Sequence, residues 1–493
     1  MNAQALQPIR RQPMILDHRG DPMTARSEAA FVAGQRKAFA RGLRAGYDAA
    51  QTTVENRRHW SQTDALSANA ALSPLVRKIL RERARYEIAN NSYASGIVST
   101  LVNYSVGTGP RLQLRIKGDD AKRAERSFAE WAAEVNLPAK LRTLRHARCQ
   151  DGEAFGVFLY NPNLTHAVKL DVSEIESDQV TDPSLTVDAR NADGVWFDAF
   201  GQPSRYRILR THPGDSLSNP SAFDDVDAAQ VLHTFRRTRP GQRRGVTEIG
   251  PALPLFAILR RYTLAVISAA EAAANLSGVI YADGPANDET AEEGAPFEVI
   301  ELERNMFTTL PYGYKMGQMK AEQPTSTYGD VVERILNEIA RCLNMPLNIA
   351  MCNSREYNFA SGRLDHQTFY VSMNVDRRDF ELTICDRILF AWLREAVLTG
   401  EVSQSLANQI SRQTRVWMWP GYPSTNPQED AAALEIMLRC KAENLANWYA
   451  EDGRDWETEC DQRMIEEERY GVPIAASPAA SPSARTQDKE KPQ

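Results

Sequence analysis

Residues Pro251 to Ser277 are the stretch that most limits what this chain can become. Leu253, Phe256, Leu259, Val266, Ala269, Ala270 and Ala273 spread around well over half the circumference of a helix drawn through it. A helix that is apolar on several faces must be buried on several faces. It therefore sits either at the centre of one large core or between copies of itself. Ala252 to Ile280 is also the best membrane candidate, but Arg260, Arg261 and Glu271 interrupt it. No uncharged apolar run reaches the roughly 18–20 residues a spanning helix needs, so the reading is a soluble protein.

The other 466 or so positions, about the rest of a chain of several subdomains, read as segregated helical and strand-rich regions. Ser73-Pro74 starts a helix, or a pair of helices, that runs to about Tyr104. Gly107 and Gly109 let the chain turn into a strand at Arg111–Lys117, and helices follow at Asp119–Glu134 and Leu141–Gln150. From Asp151 to Thr234, short β-branched and aromatic runs alternate with Pro, Gly, Asn and Asp, which marks a β-rich subdomain. Strand-like runs recur at FEVIEL and NMFTTL, and a helix spans about Thr327–Leu343 until Pro346 stops it. A long helix from about Ala360 ends before Gly400, and acidic helices at Gln428–Tyr449 and Trp456–Tyr470 close the ordered chain. The order gives an α+β fold rather than alternating βαβ units. Residues 27–50 read as a basic helical arm, and residues 1–26 and 473–493 as disordered ends.

Charge is informative locally rather than globally. The net charge of −6, from 58 basic and 64 acidic residues, is no signature of a nucleic-acid binder. Asp283 to Glu303 carries eight acidic residues, Asp288, Glu289, Glu292 and Glu293 among them, and no Lys or Arg. The run RRTRPGQRR does the opposite, with Arg236, Arg237, Arg239, Arg243 and Arg244 in one short loop. That loop is open to three readings: a contact with another protein, a contact with DNA, or a plain exposed turn.

The chemistry of an enzyme finds little support. There is no GxxxxGK[ST] phosphate loop and no GxSxG elbow, and Val106-Gly107-Thr108-Gly109 lacks a third glycine for a dinucleotide site. Asp151-Gly152-Glu153 sets two carboxylates two apart, but it reads better as a turn than as a metal or acid/base pair. His146, His166, His212 and His233 are too far apart for local spacing to place a metal between them. The six cysteines form no CxxC pair, which fits a reducing, cytoplasmic assembly site. The N-terminus MNAQALQPIRRQPMILDHRGDP has no apolar core of the length a secretory leader needs. No cofactor or metal is expected.

A series of spaced segments resembles the lambda-type family of tailed-bacteriophage portal proteins. They begin with Ala45-Gly46-Tyr47-Asp48-Ala49-Ala50 and His59-Trp60, then Arg83-Ala84-Arg85-Tyr86-Glu87, Asn90-Asn91-Ser92-Tyr93-Ala94 and Val106-Gly107-Thr108-Gly109. Asp151-Gly152-Glu153 and Arg244-Gly245-Val246 follow, then Leu343-Asn344-Met345-Pro346 and Asn358-Phe359-Ala360-Ser361-Gly362-Arg363. Pro420-Gly421-Tyr422-Pro423 with Asn426-Pro427, and Asp452-Gly453-Arg454-Asp455-Trp456, complete the set. The pattern departs at Ala360, where an aromatic is more often followed by two small hydroxyl residues.

The resemblance implies a structural and mechanical protein rather than an enzyme: a homo-oligomeric ring, usually a dodecamer, at one capsid vertex. In chain order it implies a wing at 27–246, a first stem helix at 247–277 and an α/β clip at 278–325. A second stem helix would lie at 326–343, a channel loop at 344–358, a return to the wing at 359–427 and a helical crown at 428–472. Asn353, Ser354, Arg355 and Asn358 become the residues near DNA at the constriction, or else a loop with helix-capping duties. Acidic surface at 283–303 or 428–468 would face the channel, or simply solvent. The implied partners are the terminase large subunit, the major capsid and scaffold proteins, a head–tail adaptor, and double-stranded DNA passing without sequence specificity, with no membrane. The implied place is the virion, after assembly in the host bacterial cytoplasm. Alternatives are another minor capsid or connector protein, or a metal-dependent DNA-processing enzyme built around Asp151 and Glu153.

Overall fold

Ser73 begins the first long helix as its side chain accepts a hydrogen bond from the Val76 amide, with Pro74 in the first turn where its missing N–H costs nothing. The computed structural model describes Ala33 and residues 64–470, apart from 185, 187, 217–218, 220, 276–278, 283–313, 318–326, 356 and 423–425. Residues 1–67 separate as one unit, of which Ala33 and the coil at 64–67 are described; the second unit begins at Ala68. The basic arm expected at 27–50 and the strand runs FEVIEL and NMFTTL lie outside the described residues.

After a single turn α1 (Ala68–Ala71), α2 (Pro74–Asn90) gives way to α3 (Ser92–Ser105). The break falls at Asn91, whose side chain accepts from the Tyr93 and Ala94 amides and starts the second helix. Gly107 and Gly109, both with positive φ, turn the chain into β1 (Arg111–Leu114), which is shorter than the expected strand. Next come α4 (Asp119–Glu134) and α5 (Leu137–Asp151). The β-rich region holds β2 (Glu153–Tyr160), β3 (Leu170–Ile175), β4 (Asn191–Ala192), β5 (Val195–Phe197), β6 (Pro203–Leu209), β7 (Phe223–Asp227) and β8 (Val231–Phe235). These make a three-stranded sheet in the order β3-β2-β8 and a four-stranded meander β4-β5-β6-β7, antiparallel throughout.

The second half is mostly helical. α6 (Leu253–Asn275) and α7 (Tyr328–Cys342) flank the antiparallel pair β9 (Val279–Ala282) and β10 (Tyr314–Gly317). A short helix α8 (Leu347–Met351) precedes α9 (Phe359–Phe380), which runs through a π-turn at Glu381–Cys385 into α10 (Asp386–Thr399). Then come α11 (Gln404–Gln409), β11 (Arg415–Met418), α12 (Pro427–Arg439), α13 (Leu445–Glu451) and α14 (Trp456–Tyr470). β11 returns to pair antiparallel with β1, closing a span of about 300 residues of chain, which is a contact of high sequence separation.

The architecture is α+β, as the sequence pattern implies, with three cores among the described residues. Phe128, Trp131, Leu141, Phe380 and Trp392 centre the first. Ile97, Leu101, Phe256, Leu336 and Phe369 centre the second, where α2, α3, α6, α7 and α9 meet. Phe155, Val195, Tyr206 and Val231 fill the third, between the two sheets. The π-turn places Glu381 and Asp386 inward, where they accept the indole N–H groups of Trp419 (2.8 Å) and Trp417 (3.0 Å).

Candidate functional site

Three arginines spaced by four, Arg77, Arg81 and Arg85, lie along one face of α2 and tie it to the β-rich region. Arg77 Nη1 is 3.1 Å from Glu153 Oε1, and Arg77 also pairs with Asp193. Arg81 Nη2 is 2.9 Å from Asp178 Oδ1, and Arg85 makes a two-pronged contact with Asp151 at 2.8 and 2.7 Å. Glu153 is the hub. It also accepts from Arg244 Nη2 at 2.7 Å, from the Gly245 amide at 3.0 Å, and lies 3.3 Å from His233 Nε2. Burial alone would raise its pKa, but Arg244, His233 and Arg77 outweigh that and hold its carboxyl well below the ordinary range. The same competition, with Arg244 and Arg77 opposing burial, lowers Asp193.

Asp151-Gly152-Glu153 is therefore a turn, with Gly152 at φ +93° ending α5, and its two carboxylates serve different partners. Both are spent on guanidinium groups, which leaves them poor ligands for a second cation. Arg244 departs from its expected place in an exposed contact loop. It is buried under the loop because Glu153, on a strand 91 residues away, neutralises it.

A second buried cluster fixes the root of α6. Arg145 Nη2 lies 3.0 Å from Glu248 Oε2 and Arg145 Nε 2.8 Å from Asp376 Oδ2, while Arg148 reaches the same two carboxylates. Thus α5, the segment just before α6, and the last turns of α9 are locked at one point.

From that root, α6 turns Leu253, Phe256 and Leu259 into the second core. It packs on α7 through stacked Tyr262 and Tyr328, 5.7 Å apart. Other parts of its circumference are open: Ile258, Leu264 and Ile267 are 48%, 59% and 50% exposed. By length and composition alone, Gly250–Glu271 would pass for a membrane span. Yet Arg260 within it lies 2.7 Å from Glu87 and stacks on Tyr86, both on α2. A parallel situation holds on α9, where Leu364, Val371 and Val375 are exposed opposite buried Phe369 and Met373.

The remaining expected site residues fall in three places. Asn353, Ser354 and Arg355 share one exposed turn in which Asn353 Oδ1 accepts from the Arg355 amide at 3.0 Å. Asn358 caps α9 by accepting from the Ser361 amide at 2.8 Å. The first half of that stretch is no loop: α8 buries Leu347, Asn348, Ile349 and Ala350. Arg236, Arg237 and Arg239 are exposed on their loop, and Arg243 is half-buried over the Phe197 ring. Asp288, Glu289, Glu292 and Glu293 lie outside the described residues. Helices α12 and α14 bury no residue; Asp430 and Glu457 are half-buried and pair with Arg363 (3.0 Å) and Lys122 (2.7 Å), while Glu467 and Glu468 are exposed.

One convergence escaped local spacing. Glu176, Asp178 and His212 bring ligand atoms within 4.8 Å of one another. Arg81 and Arg85 already occupy both oxygens of Asp178, and Arg85 Nη2 is 3.1 Å from Glu176, so the cluster is an ion-pair network.

A chain with arginine–carboxylate networks at its centre, and with its most apolar helix open on one side, has the character of an assembly component. Residues 55–377 match the family model described as phage portal protein, lambda family, and the chain belongs to that family. A probable portal protein of Halomonas phage phiHAP-1 is 24% identical over 408 residues, covering 76% of this chain and 77% of the relative. Among solved structures, a chain in the neck of a native GTA particle computed with C12 symmetry is similar at 13% identity and a TM-score of 0.41. It covers 78% of this chain and 94% of its own length. A chain from the virion of a native gene transfer agent particle is similar at 13% identity and a TM-score of 0.40, over 82% of this chain and 99% of its own.

Proposed function

We propose that this chain assembles into a closed homo-oligomeric ring, a dodecamer, that forms the portal channel at one vertex of a phage head. Double-stranded DNA enters through that ring during packaging and leaves through it at ejection, without sequence-specific contact. ATP hydrolysis belongs to a separate terminase, whose large subunit docks on the ring; capsid, scaffold and a head–tail adaptor are its other partners. The ring is built in the bacterial cytoplasm and remains in the virion.

The observation that carries this reading is the open face of α6. Ile258, Leu264 and Ile267 would each leave a half-exposed aliphatic side chain in a monomer, on a helix whose other side is already in a core. Burying such a side chain is worth about 1.5–3 kcal/mol, and a ring supplies the neighbour at every subunit. With α7 beside it, α6 is the first of two stem helices, β9 and β10 belong to the clip, and the turn at 352–358 faces the channel. Electron micrographs of the purified chain test this directly: rings with an axial hole are expected. Leu264→Glu combined with Ile267→Glu should yield folded monomers. A wild-type chain that stays monomeric under capsid-building conditions would refute the proposal.

A further inference from the structure

The loop at 236–243 is more ordered than its charge suggests. Gln242 is buried, and its Oε1 accepts from the Thr238 amide (2.9 Å), the Thr238 hydroxyl (3.1 Å) and the Arg239 amide (3.3 Å). Its Nε2 donates to the Arg244 carbonyl at 2.9 Å. Asn69 clamps the loop from outside, donating to the Gly241 carbonyl and accepting from the Arg243 amide, both at 3.0 Å. A loop held at this many points loses little entropy when something binds it.

Two of its cations are held without being neutralised. Among the described residues, neither Arg236 nor Arg237 has a carboxylate within 4.0 Å. Arg237 lies 5.6 Å over the Phe235 ring and Arg243 4.6 Å over Phe197. Stacking on a ring face orients a guanidinium yet leaves edge N–H groups for an acceptor. Arg237, Phe235, Arg243 and Phe197 line a cavity of about 560 Å³ together with His233 and Arg239, and Arg236 adjoins it in the chain. At the adjoining turn, Phe200 is 90% exposed, an aromatic ring with no role in the fold.

We propose that this cavity docks a short acidic peptide segment of a partner protein, carboxylates on the arginines and an apolar side chain against Phe200. The volume suits a few side chains, not an arc of duplex. The site lies within one chain, so it stands or falls independently of ring formation.

The test uses the full-length chain and a fluorescent decapeptide of alternating glutamate and leucine, with its glutamine counterpart as control. The glutamate peptide should bind and the glutamine peptide should not. Arg236→Ala with Arg237→Ala, and separately Phe200→Ser, should each weaken binding about tenfold or more, with the melting temperature unchanged. Equal binding of both peptides, or wild-type affinity in both variants, overturns the proposal. So does a short DNA duplex that displaces the peptide and binds more tightly than it.

Discussion

Arg244 Nη2 lies 2.7 Å from Glu153 Oε1, and neither side chain is more than 4% exposed. The pair joins β2 to the segment that leads into α6, with Arg77 of α2 as a third member. Removing one partner strands the other as a buried, uncompensated charge. Glu153→Ala is therefore expected to destabilise the chain by about 3–5 kcal/mol, and Arg244→Met by a similar amount. The double variant should cost less than the sum of the two, since each single change leaves a penalty that the other removes. Urea unfolding of the four chains measures the cycle; additive losses would mean the pair is not coupled.

The same charges set the response to acid. Glu153, Asp178, Asp193, Glu248 and Asp376 all have folded-state pKa values below their ordinary ones, because arginines overcome the effect of burial. A depressed carboxylate contributes its full stability above the unfolded pKa and loses it as pH falls through the folded one. Burial also lowers the pKa of His233, against the pull of Glu153, and protonating it favours the unfolded chain as well. The melting temperature should thus be flat from about pH 8 to pH 7, ease downward as the pH falls through the unfolded histidine range near 6.5, and fall steeply below about pH 4. A chain equally stable at pH 3 and pH 7 would show that these networks do not hold the fold.

Gly152 and Gly245 meet backbone to backbone. A Cβ on Gly245 would collide with the Gly152 carbonyl, and one on Gly152 with the backbone of Val246 and Thr247. Gly152 also has a φ of +93°, so alanine there adds strain to the clash. Gly245→Ala is the cleaner test because only the contact is at issue. It should cost more than about 3 kcal/mol, beyond the usual range for a point substitution, read as a loss of soluble folded protein or a lowered urea midpoint.

These contacts explain what the sequence could and could not reveal. Helix starts were legible at Ser73-Pro74 and Asn358, where a cap and its acceptor lie within three residues. The broad apolar surface of α6 was legible for the same reason. The Arg77–Arg81–Arg85 stripe has a regular spacing of four that the sequence reading did not single out, and its partners sit as far as 116 residues away, where no local pattern names them. Arg244 read as exposed because its neighbours are basic; its burial depends on Glu153. The spaced motifs behind the family resemblance turn out to be each other's partners. Asp151-Gly152-Glu153 meets Arg85 and Arg244-Gly245, and Gly421 packs on Asp452 while Gly453 packs on Trp419. They mark architecture, not chemistry, which is why no motif among them reads as a reaction site. α8 was missed because five residues after a proline carry too little periodicity to distinguish a buried turn of helix from a loop.

Acidic surface should matter to a channel through which DNA slides. Glu467 and Glu468 near the end of α14 are exposed, and no residue of that helix is buried. If α14 borders the DNA path, their negative charge keeps phosphates from being held. Each lysine that contacts a phosphate releases counterions and steepens the dependence of log affinity on log salt by about 0.9. Glu467→Lys with Glu468→Lys should leave the monomer's stability within about 0.5 kcal/mol of wild type. It should also raise the assembled chain's affinity for duplex DNA at low salt, with a slope steeper by up to about 2. Fluorescence anisotropy across a salt series measures both quantities, and packaging in a complementation assay should fall as retention rises. Unchanged affinity and unchanged slope would place these two carboxylates away from the DNA path and in open solvent.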